Sequence, residues 1–374
     1  MTKRSFFFAG GGTGGHIYPA VAVAEKLIEL EPRADIRFFC SPRPIDRKIL
    51  DQAGIEYTAL PAAGFFLAPR KLVKFCASLL RSYRIAKQII AASDDPVVVG
   101  VGGFVAAPVC LAAQKLSVPI ALLNVDVLPG RANKLIARWA NQIFVQFQDT
   151  KEYLAKKHKG LVNVVGCPLR TGFDNPQPDK AIRQLGLDRA KKTLLITGAS
   201  SGSVSINTTV CSLVDKLDAF AGDWQIVHLT GLANCDQVKR RYGGAKISHN
   251  VLGYFDDMSD LLTAVDLVIG RSGAVSVAEY AAAGVPSICM PYPHHKDRQQ
   301  YLNAGKLVQA GAAVIVDDLP DAKDRADWLW EELEALMKDQ EKLTKMEDAC
   351  RTIAPKQASS AIAQALLRIT RRAD

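Results

Sequence analysis

The sequence predicts an α/β protein of two Rossmann-like domains, each a parallel sheet with helices on both faces. Three observations carry this expectation. Short apolar runs alternate with stretches of helical periodicity along the first half of the 374 residues. The alternation restarts in the second half, after a stretch concentrating Pro, Gly and Asn. Turns rich in glycine or serine follow directly on several of the apolar runs, where a parallel strand gives way to its helix.

Taken in order, residues 5–9 (SFFFA) are a short apolar run and read as a strand, 18–30 as a helix, 35–40 as a strand and 44–53 as a helix. Residues 97–101 and 120–124 are further apolar strands, each with a helical pattern after it. In the second half, 193–197 reads as a strand, 205–219 as a helix, 225–230 as a strand, 261–264 as part of a short helix and 267–269 as a strand. A helical run follows the turn at Arg271–Ala274, and 287–290 is a short apolar strand. The sequence VVGCPLRTGFDNPQP, residues 164–178, marks the boundary, giving a first domain over 1–166 and a second over 167–354. Open α/β sheets bind ligands at the carboxyl ends of their strands, so two facing domains place a site in the cleft between them.

A chain of this length supports two domains with full cores. No run of 18 apolar residues appears, so no membrane-spanning helix is expected. The start, MTKRSFFFAG, is basic then apolar like a signal peptide, but the apolar run is short and falls into glycines, which reads as a buried strand. Eight scattered cysteines without CxxC spacing argue against zinc and a disulfide framework and fit a reducing cytoplasm. The net charge of +9 is one-sided. Residues 1–170 hold 23 Lys and Arg against 12 Asp and Glu, while the remainder holds 24 against 26. A basic first half calls for an anionic partner such as nucleic acid, anionic lipid or a phosphorylated substrate.

The densest run of chemistry is residues 270–303, GRSGAVSVAEYAAAGVPSICMPYPHHKDRQQYLN. A small-residue turn, Arg271-Ser272-Gly273-Ala274, opens a helix that continues with Val275 and whose bare N–H groups suit a phosphate. Glu279, about two turns in, can accept hydrogen bonds from a ribose diol, and the amides of Gln299 and Gln300 can bond sugar hydroxyls. Together they read as a nucleotide-sugar site. The first strand ends in AGGGTGGHIYPA, where Thr13, Gly14 and Gly15 lie before a helix expected to begin near Tyr18–Pro19. Such a loop also suits a dinucleotide fold, but the acid that would hold the ribose, Asp35, starts its strand instead of ending it. His16 in this loop can take a proton from a hydroxyl near pH 7, or merely bond the loop backbone. A second turn, Gly100 to Phe104 with Gly102 and Gly103, can cradle a phosphate or serve tight strand–helix packing. A third, 197–203, contains Ser200, able to bond phosphate or sugar. Tyr254 and Phe255, in the stretch 253–258 that precedes a short helix, can flank a flat base, with Asp256 or Asp257 as helix cap. No acid lies between Glu56 and Asp94, a window holding Arg70, Lys71, Lys74, Arg81, Arg84 and Lys87. Leu72, Phe75, Leu79 and Tyr83 recur there at helical spacing, after Phe65-Phe66-Leu67. The segment suits an anionic membrane surface, the alternative being a core face plus a solvated face. No nucleic-acid motif accompanies it.

These motifs resemble the bacterial N-acetylglucosaminyltransferases of peptidoglycan lipid-intermediate synthesis, the MurG-like family, over nearly the whole chain. The resemblance implies a GT-B type fold, an inverting transfer from UDP-N-acetylglucosamine to a lipid-diphosphate-linked N-acetylmuramyl pentapeptide, and a peripheral place on the cytoplasmic face of the bacterial cell membrane. It implies that Glu279 holds the ribose, that the turn at Ser272–Ala274 faces the donor diphosphate, and that Gln299 and Gln300 read the sugar. It gives Phe255 backbone contacts to uracil, Met258 a packing role against it, and Arg170 a place near the nucleotide phosphates. The two glycine turns of the first domain are assigned to the acceptor diphosphate, and His16 becomes a candidate base. The last helix, from about residue 355, is implied to cross back onto the first domain.

The chain departs from the family pattern in two places. Ala199 and Ser201 stand where relatives have glycine and glutamine, and Leu123-Asn124-Val125-Asp126 replaces His-Glu-Gln-Asn. When ionised, Asp126 accepts but cannot donate, and it can compete with His16 as base. No cluster of acids points to a resident metal; a free divalent ion can still help UDP leave. A UDP-sugar glycolipid synthase and a nucleotide-sugar epimerase of the same fold are the neighbouring readings.

Overall fold

The computed structural model describes residues 4–12, 14–62, 69–354 and 357–369. It divides into two compact units, Met1–Arg170 with Lys356–Asp374, and Thr171–Pro355. The division falls after Arg170, inside the Pro- and Gly-rich stretch and four residues beyond the Gly166 expected from sequence.

Unit 1 is a seven-stranded parallel sheet in the order β3-β2-β1-β4-β5-β6-β7. The strands are β1 (Ser5–Ala9), β2 (Asp35–Cys40), β3 (Glu56–Ala59), β4 (Pro96–Gly100), β5 (Ile120–Asn124), β6 (Gln142–Val145) and β7 (Val162–Val164). Its helices are α1 (Gly14–Leu30), α2 (Pro44–Gln52), α3 (Pro69–Ala91), α4 (Gly103–Lys115) and α5 (Arg131–Ile136). Strands β1, β4 and β5 are buried along their whole length, as expected of central parallel strands covered on both faces. Phe7 of β1 stacks on Phe39, and Phe8 on Phe38, across the β1–β2 pair.

Unit 2 is a six-stranded parallel sheet in the order β10-β9-β8-β11-β12-β13. It contains β8 (Lys192–Thr197), β9 (Trp224–Leu229), β10 (Ser248–Leu252), β11 (Leu267–Gly270), β12 (Ser287–Cys289) and β13 (Ala313–Ile315). Helices α6 (Pro178–Leu185), α7 (Val204–Ser212), α8 (Val214–Leu217), α9 (Cys235–Tyr242), α10 (Met258–Leu262), α11 (Ala274–Ala283), α12 (Gln299–Ala310), α13 (Ala322–Lys338) and α14 (Gln340–Ile353) surround it. The last helix, α15 (Ala358–Arg368), returns to unit 1 and packs on α1, burying Ile362, Ala363 and Leu366. Arg4 donates to the Leu367 and Ile369 carbonyls at its end.

Several expectations need correction. α1 begins at Gly14, not near Tyr18, so Gly14, Gly15 and His16 form its first turn. The helix expected over 205–219 ends at Ser212, with Val214–Leu217 a separate short helix. The short helix near Leu261 begins earlier, at Met258, and ends at Leu262. On α3 the apolar side chains with most exposure are Val73 and Leu80, whereas Phe75, Leu79 and Tyr83 are half-buried. Phe65, Phe66 and Leu67 lie outside the described residues, as do the side chains of Arg70, Lys71, Leu72 and Lys74.

In both sheets the strand order reverses at one point, between β1 and β4 in unit 1 and between β8 and β11 in unit 2. A doubly wound sheet opens a crevice there, beyond the carboxyl ends of the two strands, because their connections leave to opposite sides.

Candidate active site on two switch points

In unit 1 the turns after β1 and β4 lie against each other. A Cβ on Gly103, whose φ is +78°, would press on the Gly11 carbonyl, and one on Gly10 would press on Val101. Glycine here is therefore a packing requirement as much as an opening for ligand. Beside these turns stands His16. A Cβ placed on Gly102 would lie 3.1 Å from both His16 Nε2 and Asn133 Oδ1, so both side chains face one point at the β4 turn. Asn133 Oδ1 is buried and has no hydrogen-bond partner among the described residues. Asn133 Nδ2 donates to Asn124 Oδ1 at 2.9 Å, and Asn124 Nδ2 donates to the Asp126 carbonyl at 2.6 Å. This chain of amides sets the loop after β5 and brings the Asp126 carboxylate near the His16 ring. Burial lowers the His16 pKa, and the negative charges of Asp126 and Asp46 partly offset that effect. Asp126 thus acts on His16, where the sequence left the two as rival bases.

Phe104, in the first turn of α4, is exposed. Thr13 lies outside the described residues. Arg170, expected beside the donor phosphates, belongs to unit 1, where its guanidinium stacks over the Tyr18 ring at 4.5 Å.

In unit 2 two helices start at the switch point, and they differ. α7 is capped by its own Ser203, whose Oγ accepts from the Ile206 N–H. α11 has Gly273 at its N-cap and no side-chain cap. Its first N–H groups, at Ala274 and Val275, are the ones open to an anion. Ser272 is fully buried, and its hydroxyl donates to the Gln300 carbonyl at 2.9 Å, so its side chain is not available to a phosphate. Gln300 Oε1 accepts from the Tyr292 N–H at 2.9 Å, which fixes that amide. Gln299 opens α12 beside it. Glu279 lies in the second turn of α11 with 8% exposure.

Phe255 is buried, so its ring belongs to the core and its backbone is what it offers a ligand. Tyr254 and Met258 are half-buried at the start of α10. Asp257 does occupy the N-cap position, but its carboxylate pairs with Lys180 Nζ at 2.6 Å and caps nothing. Ser200 is exposed in the β8 turn.

Sequence reasoning missed Arg271. It is 8% exposed, and its guanidinium donates to the Met290 and Pro291 carbonyls (2.9 and 3.2 Å), to Ser203 and Ser205 Oγ (2.7 and 2.9 Å) and to Asp318 Oδ2 (2.8 Å). One side chain ties the start of α7 and the ends of β11 and β12 to the segment after β13. The available signal was a cation directly after the last residue of a buried strand. Among the described residues no group of three or more His, Cys, Asp or Glu is arranged to hold a metal ion.

The model of the glycosyltransferase family 28 N-terminal domain matches residues 6–145, and that of the C-terminal domain matches residues 193–365. The fold is thus that of a two-domain glycosyltransferase. Two curated relatives carry the name UDP-N-acetylglucosamine–N-acetylmuramyl-(pentapeptide) pyrophosphoryl-undecaprenol N-acetylglucosamine transferase. That of Paenarthrobacter aurescens is 37% identical over 350 residues, 91% of this chain and 90% of its own. That of Desulfitobacterium hafniense is 32% identical over 367 residues, 96% of this chain and 97% of its own. The crystal structure of Acinetobacter baumannii MurG superposes with a TM-score of 0.72 at 25% identity, covering 98% of this chain and all of that one. The chain belongs to this family of N-acetylglucosamine transferases.

Ala199, where the family resemblance leads to the expectation of glycine, has φ +63°. A left-handed conformation costs an L-residue with a Cβ about 1–2 kcal/mol, part of which glycine would return through a more flexible unfolded chain. Ala199→Gly is expected to raise the stability of the protein by about 0.5–1 kcal/mol, read as a higher urea midpoint at unchanged slope.

Proposed function

We propose that the chain transfers N-acetylglucosamine from UDP-N-acetylglucosamine to the lipid-diphosphate-linked N-acetylmuramyl pentapeptide, with inversion at the sugar's anomeric carbon. The observation that carries the donor half is α11: an uncapped helix start at a switch point with a buried acid in its second turn. The N–H groups of Ala274 and Val275 receive the UDP diphosphate, Glu279 the ribose diol, and Tyr254, Phe255 and Met258 the uracil. Ser200, Gln299 and Gln300 bond the sugar, and Arg170 is assigned to the phosphates.

Unit 1 takes the acceptor, with Thr13–Gly15 and Gly102–Phe104 at its diphosphate. The acceptor hydroxyl attacks the anomeric carbon as the bond to the UDP oxygen breaks, and its proton goes to His16. Asp126 stabilises the imidazolium that forms. Preorganised N–H groups at α11 stabilise the leaving diphosphate. No resident metal is needed, and a free divalent ion can accompany UDP. The buried Asn133 Oδ1 is ready to accept a hydrogen bond from the acceptor.

We further propose that α3 meets an anionic membrane surface from the cytoplasmic side. Exposed Val73 and Leu80 share that helix with exposed Arg81, Arg84 and Lys87. Among the described residues no helix is long and apolar enough to cross a membrane.

The test is transfer from labelled UDP-N-acetylglucosamine to a short-chain lipid-diphosphate muramyl pentapeptide, with UDP-glucose and UDP-galactose alongside. Glu279→Ala is expected to raise the donor KM at least tenfold. Transfer unaffected by that change would refute the donor site. The His16 pKa lies below the ordinary 6.5, so the imidazole stays neutral, and able to accept a proton, to lower pH than a free histidine. The acid limb of kcat/KM should accordingly fall below pH 6.5 and disappear in His16→Gln, leaving a low, pH-flat rate.

A further inference from the structure

The first glycine turn has an internal partner that anion binding does not call for. Asp46, in the first turn of α2, has no exposed surface. Its Oδ2 accepts from the Gly12 N–H at 2.8 Å, from the Ser41 N–H at 3.0 Å and from Ser41 Oγ at 2.5 Å, and its Oδ1 accepts from the Gly12 N–H at 3.0 Å. The Gly12 carbonyl is held as well, by Arg43, which donates to it at 2.6 Å. Two side chains three residues apart therefore grip Gly12 at both its donor and its acceptor. A Cβ on Gly11 would overlap the Asp46 carboxylate, and the φ of Gly12 is +94°. At Gly11 the carboxylate fills the space a side chain would need, and at Gly12 the positive φ disfavours one. Two residues on, α1 begins at Gly14, and His16 stands in its first turn.

A glycine turn leading into a helix ordinarily leaves its N–H groups to a ligand. The Gly12 N–H is not among them, since it already belongs to an internal carboxylate. We propose that Asp46 is a positioning residue for the transfer: by holding Gly12 it sets where α1 starts and so aims the His16 imidazole at the acceptor hydroxyl. The proposal rests on His16 being the base. Misplacing a reacting group by about 1 Å can cost on the order of a hundredfold in rate, so a grip this close to the base bears on kcat.

The charged groups that act on His16 are Asp126 after β5 and Asp46 on α2, and Arg43, on the loop before α2, is held on the Gly12 carbonyl. Asp46→Asn keeps the size, removes the negative charge and sets an NH₂ against the Gly12 and Ser41 donors. It is expected to lower kcat about ten- to a hundredfold and leave the KM for UDP-N-acetylglucosamine within about twofold, because the donor residues other than Arg170 lie in unit 2. The His16 imidazole, followed by NMR titration, should move to lower pH, since one of the charges holding its proton is gone. In a His16→Gln background, Asp46→Asn should cost little more. Asp46→Glu should return the titration toward its original position.

Wild-type kcat in Asp46→Asn, or an equal loss with and without His16, would overturn the proposal. Full activity in His16→Gln alone would instead overturn the base on which it rests. If Asp46→Asn does not fold, the exposed Arg43→Ala releases the other end of Gly12. It should lower kcat several-fold at constant donor KM, and unchanged kcat there would overturn the proposal equally.

Discussion

Arg271 is buried at the end of β11, and its guanidinium is bonded to two backbone carbonyls, two serine hydroxyls and the Asp318 carboxylate. A buried cation is tolerable only when such partners replace water, and arginine's planar fork can serve several fixed acceptors at once. Asp318 is shared with Ser205 Oγ at 2.6 Å and lies 3.6 Å from the Arg325 guanidinium, so the network reaches from the β8 turn to α13. Tyr280 adds a bond from its hydroxyl to the Arg271 carbonyl at 3.1 Å, possible because Gly270 has no Cβ in the way. The strand ends are thereby locked from behind, and the N–H groups at the start of α11 remain on the open side.

Unit 1 uses the same device with the opposite sign. There a buried carboxylate, Asp46, holds the turn, and His16 and Asn133 meet beside it at the β4 turn. Both units also pack turns backbone to backbone near the point where the strand order reverses. Gly103 lies on the Gly11 carbonyl across the β1–β4 reversal of unit 1, and in unit 2 Gly202 lies on the Thr230 carbonyl between the turns after β8 and β9, beside the reversal. Backbones that close leave no slack, which suits groups that must already be in place when charge develops on substrate.

The central strands were legible in the sequence because burial on both faces makes them unbroken apolar runs, as in Val97-Val98-Val99 and Leu194-Leu195-Ile196. Edge strands such as Glu56–Ala59 and Ser248–Leu252 were not, since half-exposed residues mix polar with apolar and leave no clear period. Glu279, Gln299 and Gln300 could be named because their chemistry is local to one segment. Arg271 and Asp46 could not, because their partners lie up to 68 residues away and only folding brings them together. The same limit applied to Asp257, whose cap geometry was readable but whose partner, Lys180, was not. The start of α1 was misplaced because Gly14 and Gly15 are poor helix formers, and tertiary contacts overrode that preference.

Donor binding by unit 2 is the claim on which the other assignments depend, and amide hydrogen exchange with and without UDP tests it most directly. With UDP bound, protection should rise over residues 253–258, 272–279 and 299–300, and the turns at 10–12 and 102–103 should exchange as before. Protection confined to the glycine turns of unit 1, with none across α11, would contradict the account.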